Sequence, residues 1–314
     1  MLVSSLLRVY CPQNWYFFYL VTFIIVATSN FGSAHDPKKN FVASKIFSKL
    51  SQPTQTEASA IGSYAKGCLH GAKQLPFNGP NWQVLHPSRN RNWGHPETIE
   101  LVKRVSQAAN NVGWTGLFIG DISQARGGPM PYGHKSHQMG LDVDIWLTKP
   151  KKLGLTRTEL KSIKPISIRS KNHKETNANW TKDHMEILKF VALDKAVDRI
   201  FITAPAKIWM CEREKGNREW LQKIRPLGGH HQHFHIRLHC PQASTDCISQ
   251  TPSIPRISQS KDGCDHTLKW WVTTALEPAK KPINPVKKKK RKKSVLDFTM
   301  KDLPKQCLSV IHEN

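Results

Sequence analysis

Across 314 residues the chain has no close CxxC pair and no SxxK or GxSxG motif in a setting that would support it. It also has no internal repeat and, beyond its first 34 residues, no stretch apolar enough to cross a membrane. The first absence sets aside a cysteine-built zinc ribbon, so any metal is held by other residues. The second sets aside serine acylation chemistry. The third sets aside repeat architectures. Acidic side chains are scarce as well, with 23 Asp and Glu against 47 Lys and Arg, for a formal net charge of +24. Such a balance points to an anionic partner, either nucleic acid or an acidic polymer.

What is present begins with the leader. An apolar run at 15–27 (WYFFYLVTFIIVA) follows a single charge, Arg8, and ends in Gly32-Ser33-Ala34. This is the layout of a signal peptide over 1–34. The rival, a permanent anchor, needs roughly 20 apolar residues, and the run is shorter. Export into the periplasm and no membrane span after cleavage are therefore expected. Removing the leader removes Cys11 and leaves Cys68, Cys211, Cys240, Cys247, Cys264 and Cys307. An even set in an exported chain suits disulfides in an oxidising compartment, with the pairing not readable from spacing. Export also argues against nucleic acid as partner. Part of the excess charge lies at 287–293 (KKKKRKK), behind Pro282 and Pro285, which is expected to be an extended, solvated linker. An anionic envelope polymer fits it, and so does a plain solubilising role.

Residues 35–60 are polar and aperiodic and are expected to be a spacer, ahead of a main domain over 61–275 and a basic linker and tail over 276–314. Within the domain, Ile99, Val102, Val105 and Ala109 recur at helical spacing behind Pro96 and Glu97, which predicts a helix over 96–109. Further helices are expected over 181–198 and 213–223. Short runs rich in aromatic and branched residues predict strands at 114–120, 141–147, 200–203 and 233–238. A lysine-rich interval, 148–178, is expected to be a surface excursion. The order gives an α+β fold, with a small central antiparallel sheet flanked by helices and loops.

Two segments concentrate metal-ligand residue types: 133–144 (GHKSHQMGLDVD) and 229–235 (GHHQHFH). On a strand, His233 and His235 share a face while Phe234 and Ile236 turn into packing. A loop ending at Gly140 would let His137 approach a strand on which Asp142 and Asp144 also share a face. Two imidazoles and one carboxylate, with a fourth position left for water, is the composition of catalytic zinc sites. Lone histidines are usually hydrogen-bonding residues of surface or core. His35, His86, His184 and His312 are read that way, and His134, His230 and His231 fall between. Asp142 suits the role of orienting an imidazole.

These segments, together with 88–97 (SRNRNWGHPE), make the stretch from about 62 to 271 resemble the penicillin-insensitive murein endopeptidases, relatives of the LAS zinc peptidases. The resemblance implies zinc as cofactor, peptidoglycan as substrate, and hydrolysis of the D-alanyl–meso-diaminopimelyl cross-link. It implies His137, Asp144 and His235 as zinc ligands, and His233 as an active-site residue outside that set; further motif histidines match His134 and His230, and either could assist. Some members hold a second, peripheral zinc, toward which His134 would be a ligand; the other ligands would fall in the lysine-rich interval, where no match is found. It also implies the disulfides Cys68–Cys307, Cys211–Cys264 and Cys240–Cys247. Neighbouring readings are a D,D-carboxypeptidase or dipeptidase with the same zinc, and a non-catalytic peptidoglycan-binding protein. The sequence leaves a homodimer open.

Overall fold

Short apolar runs with alternating burial become strands, and longer runs with helical spacing cover them. The computed structural model describes residues 41–278 and 293–313. The expected leader, and all but the last residue of the 287–293 run, lie outside the described residues. A first hairpin, β1 (Ser59–Ser63) and β2 (Lys66–His70), sets Ile61 opposite Cys68. Strands β3 (Lys73–Gln74) and β6 (Trp93–Gly94) form a small ribbon. The main sheet holds β4 (Asn78–Gly79), β5 (Trp82–Val84), β7 (Leu117–Ile119), β8 (Asp142–Trp146), β9 (Val197–Ile202), β10 (Ile224–Pro226) and β11 (His233–Leu238). Its order is β10-β9-β11-β8-β7-β5-β4.

The α+β class and the antiparallel centre agree with the sequence: β9, β11, β8 and β7 pair antiparallel. Outside them, β10 runs parallel to β9, and β5 parallel to β7. Each parallel pair is joined by a segment carrying a helix, the crossover that parallel pairing requires. These crossover helices are α2 (Pro96–Asn111) and α5 (Ala204–Arg213); the others are α1 (Ala43–Phe47), α3 (Arg157–Ser162), α4 (Lys182–Leu193), α6 (Ile254–Ile257), α7 (Thr267–Val272) and α8 (Cys307–His312). In α2, the His95 side chain accepts the Glu97 N–H and Pro96 occupies the first turn, while Ile99, Leu101, Val102 and Val105 are buried. They join Ile145, Leu188, Ile200 and Ile236 in one core.

Three expectations are corrected. Helix α4 ends at Leu193 rather than 198, because the Asp194 carboxylate accepts the Ala196 N–H and the buried Val197 opens β9. The helix expected over 213–223 lies instead at Ala204–Arg213, with Pro205 in its first turn. Arg218 Nη1 donates to the Cys211 and Glu214 carbonyls at 2.7 and 2.8 Å and closes that end, and Glu219–Lys223 is a 3-10 turn. The spacer 35–60 is, from residue 43 onward, part of the body. Ala43 and Phe47 pack with Ile61, Met300, Leu303 and Val310 in a second apolar cluster.

The excursion 148–178 lies largely at the surface, as expected, and is anchored there. Gln83 exchanges two hydrogen bonds with the Leu155 backbone, Ile168 is fully buried, and its N–H donates to the His231 carbonyl at 3.0 Å. The cysteines pair as the resemblance implied, Cys68–Cys307, Cys211–Cys264 and Cys240–Cys247.

Candidate metal centre

The register of β8 against β11 sets His235 opposite Asp144, Arg237 opposite Asp142 and His233 opposite Trp146. Alternation then brings these polar side chains out on one face, while Val143, Ile145, Phe234 and Ile236 are buried in the core. His137 reaches them from the preceding loop. Its backbone lies in the left-handed region (φ 66°), as does that of Gly140 (φ 67°). A Cβ on Gly140 would come within 2.5 Å of Leu69 Cδ2 and 2.7 Å of the His95 nitrogen, so the turn that delivers His137 needs glycine there.

Three donor atoms meet on that face. His235 Nδ1 is 3.1 Å from His137 Nε2 and 3.0 Å from Asp144 Oδ1, and His137 Nε2 is 3.4 Å from the same oxygen. Asp144 Oδ1 is buried yet aligned with no hydrogen-bond donor. The other ring nitrogens are spoken for: His137 Nδ1 donates to the Ile122 carbonyl at 2.7 Å, and His235 Nε2 to Asp142 Oδ1 at 3.0 Å. Asp142 performs the orienting role expected of it. It also accepts the His137 N–H at 2.9 Å, and Arg237 Nε and Nη2 at 2.7 and 3.1 Å.

His134 belongs to the same cluster rather than to a separate one. Ligand-type atoms of His134, His137 and Asp144 lie within 4.8 Å of one another. The trio with His235 is tighter, because His134 Nε2 is drawn to Asp121 Oδ2 at 2.9 Å, leaving Nδ1 3.6 Å from Asp144 Oδ2. His233 Nε2 is 3.7 Å from Asp144 Oδ2, and its side chain remains 25% exposed at the mouth. The His230 ring stands 4.9 Å from that of His233, with Nδ1 donating to the Gly228 carbonyl. His231 is turned elsewhere, toward Ser167. His184 is structural, held by Thr181 and the Leu147 carbonyl.

The charges follow from burial and partners. Burial works against ionising Asp142 and Asp144, but Arg237 and the imidazoles outweigh it and keep both well below the usual carboxylate range. His235 is opposed by burial too, and Asp142 and Asp144 push it up to about 9. Burial lowers His137, His233 and His230, the last to about 4.

Sequence reasoning missed Asp121, Arg89, Arg91 and His86. Asp121 follows β7, and although burial opposes its charge, His134 and Arg91 hold it at about 2. Arg91 and Arg89 reach its Oδ2 at 2.9 and 3.3 Å. A lone acid directly after a buried LFIG run was the available signal. His86, read as an ordinary histidine, lines a cleft of about 320 Å³ together with Asp121, His134, Asp144, Trp146 and His233. Ile163 and Pro165, from the lysine-rich interval, form part of its wall.

Two imidazoles and a buried carboxylate oxygen meet beside a cleft lined by further imidazoles, a donor set that could hold a metal ion as in metal-dependent hydrolases. Residues 60–312 match the family described as penicillin-insensitive murein endopeptidase, and the chain belongs to that family. It is 37% identical over 236 residues to the penicillin-insensitive murein endopeptidase of Haemophilus influenzae, covering 74% of this chain and 81% of that one. It is 34% identical over 274 residues to that of Escherichia coli K12, and 33% over 273 residues to that of Klebsiella pneumoniae, each covering 87% of this chain and 93% of the relative.

Proposed function

We propose that this chain is an exported, periplasmic zinc endopeptidase that cleaves D-alanyl–meso-diaminopimelyl cross-links in peptidoglycan. The ligands are His137 through Nε2, His235 through Nδ1 and Asp144 through Oδ1. The observation that carries the reading is the triangle of those three atoms, with edges of 3.0 to 3.4 Å. Ligands about 2.0–2.1 Å from a tetrahedral ion stand about 3.3 Å apart, so the triangle has the dimensions of one face of such a site. Asp144 Oδ1 supports it, since this buried carboxylate oxygen is faced by two imidazole nitrogens and by no donor aligned for a hydrogen bond, an arrangement that a cation would satisfy. The relatives' names support murein as the substrate. Three disulfides fit an oxidising compartment.

A bound zinc ion supplies Lewis acidity, polarising a carbonyl and making water acidic enough to attack near neutral pH. The protein's own groups do the rest. Asp142 fixes the His235 ring and the Ile122 carbonyl fixes the His137 ring, so both present a lone pair to one point. His233 is kept neutral by burial and stands beside Asp144, which suits it to take a proton from the attacking water and return it to the leaving amine. His230, with Nδ1 committed to Gly228, offers Nε2 to assist. Asp121 holds His134 by one nitrogen and Arg89 at the cleft wall.

Dialysis against a chelator, followed by digestion of cross-linked muropeptide dimers with and without added zinc, tests the reading. Loss of hydrolysis, its return with zinc, and monomers as product are expected. Full activity in protein freed of metal overturns the zinc assignment, and release of free D-alanine in place of monomers makes the chain a carboxypeptidase.

A further inference from the structure

His86 borders more than the cleft over the candidate metal centre. It also lines a second cavity of about 230 Å³, together with Pro87, Ser88, Arg157, Leu160 and Lys161. His86 is common to both, so the two spaces are neighbours. The backbone there is committed to this shape. His86 and Asn90 both lie in the left-handed region, at φ 53° and 50°, and a single 3-10 turn, Pro87–Arg89, spans them. Non-glycine residues seldom adopt that conformation, and where they do it is often beside a binding site.

The opposite wall is α3. Its Leu160 packs with Leu85, Phe118 and Leu155, which fixes how the helix faces the cavity. Arg157 and Lys161, four residues apart, share one face of the helix. The acid of that helix does not neutralise them: Glu159 is engaged by Lys152 and by the Thr156 N–H and hydroxyl. Neither Arg157 nor Lys161 has an ion-pair or hydrogen-bond partner among the described residues. Two unpaired cations, a serine hydroxyl and an imidazole thus border a space that adjoins the reaction site.

We propose that this cavity is a substrate subsite that binds a free carboxylate of the peptide stem flanking the scissile bond, with Arg157 and Lys161 as its specificity-determining residues. The proposal rests on the endopeptidase reading above. A guanidinium suits the planar, two-oxygen geometry of a carboxylate, and the ammonium adds a second charge. Because the cavity is beside the metal centre rather than on it, its contribution belongs to substrate binding and appears in KM, with kcat preserved.

The test compares wild-type protein, the Arg157→Ala/Lys161→Ala double variant and Lys195→Ala, which removes an exposed positive charge elsewhere. Each is assayed on cross-linked muropeptide dimers with free carboxylates and on the same dimers after amidation. For the wild type, amidation is expected to raise KM about tenfold, the size of one charge-assisted hydrogen bond. The double variant is expected to show that raised KM on the free dimer, an unchanged kcat and no response to amidation, with a thermal midpoint matching wild type. Lys195→Ala should behave as wild type. If the wild type cleaves dimers but the double variant keeps both its KM and its response to amidation, the subsite is wrong and the endopeptidase reading stands. If Lys195→Ala raises KM equally, the effect is one of overall charge and the subsite is overturned. If the wild type cleaves neither dimer, both fall.

Discussion

Asp142→Asn is the sharpest perturbation of this site, because it changes one atom and removes no volume. Both carboxylate oxygens accept hydrogen bonds from two donors each: Oδ1 from Arg237 Nε and His235 Nε2, Oδ2 from Arg237 Nη2 and the His137 N–H. An asparagine amide in either orientation turns an NH₂ toward two donors. It also leaves Arg237, a buried residue, without its counter-charge. Breaking one side of a buried pair costs about 3 to 5 kcal/mol, so a loss in that range is expected in urea unfolding of metal-free protein. A second readout concerns the ligands, since Asp142 aims the His235 ring and holds the backbone of His137. Losing an outer partner of this kind typically lowers metal affinity about 10- to 100-fold, measurable by competition with a chromogenic chelator. A variant within about 1 kcal/mol of wild type, with unchanged zinc affinity, would show that Asp142 neither balances Arg237 nor orients the His235 ring.

His235→Ala is expected to lose both zinc and activity, whereas His233→Ala keeps its zinc and loses about 10² to 10⁴ in rate; metal analysis run beside a muropeptide assay separates them, and zinc loss in both makes His233 a ligand. His95, buried at the start of α2, is lowered by burial from 6.5 to about 4. Its neutral form is the folded one, so its contribution is full above pH 6.5 and is lost as pH falls toward 4, amounting to at most about 2 kcal/mol by pH 5. His95→Asn retains a capping side chain and should unfold in urea with a shallower dependence between pH 7 and pH 5; an unchanged slope removes His95 as the cause.

The strand carrying His233 and His235 was legible because it needs only local information. Alternation in HFHIRL sets which side chains share a face, and the observed strand, His233–Leu238, has the expected bounds. Helix α2 was legible for the same reason, with its cap and proline adjacent to its apolar spacing. What escaped depended on distant partners. Strands of two or three residues such as β5 and β10 carry no period of their own and exist because a neighbour pairs with them. Ala43 and Phe47 look like spacer until the tail arrives to cover them. Arg91 and Asp121, thirty residues apart in sequence, become a buried ion pair only when β7 closes beside the loop that carries the arginine.

The pairing of Cys68 with Cys307 makes the two ends of the body covalently one object. Between them the chain passes through 279–292, while the second apolar cluster draws on α1, β1, β2 and the segment that carries Met300, Leu303 and Val310. A single scission within 279–292 would therefore release nothing. The fragment beginning beyond the cut stays bonded through Cys307 and keeps its apolar contacts, and with them the Arg126 side chain that donates to the Val310 carbonyl at 2.8 Å. The protein is in that sense topologically closed: it tolerates being two polypeptides, and only the combination of a broken peptide bond and a reduced disulfide separates its beginning from its end.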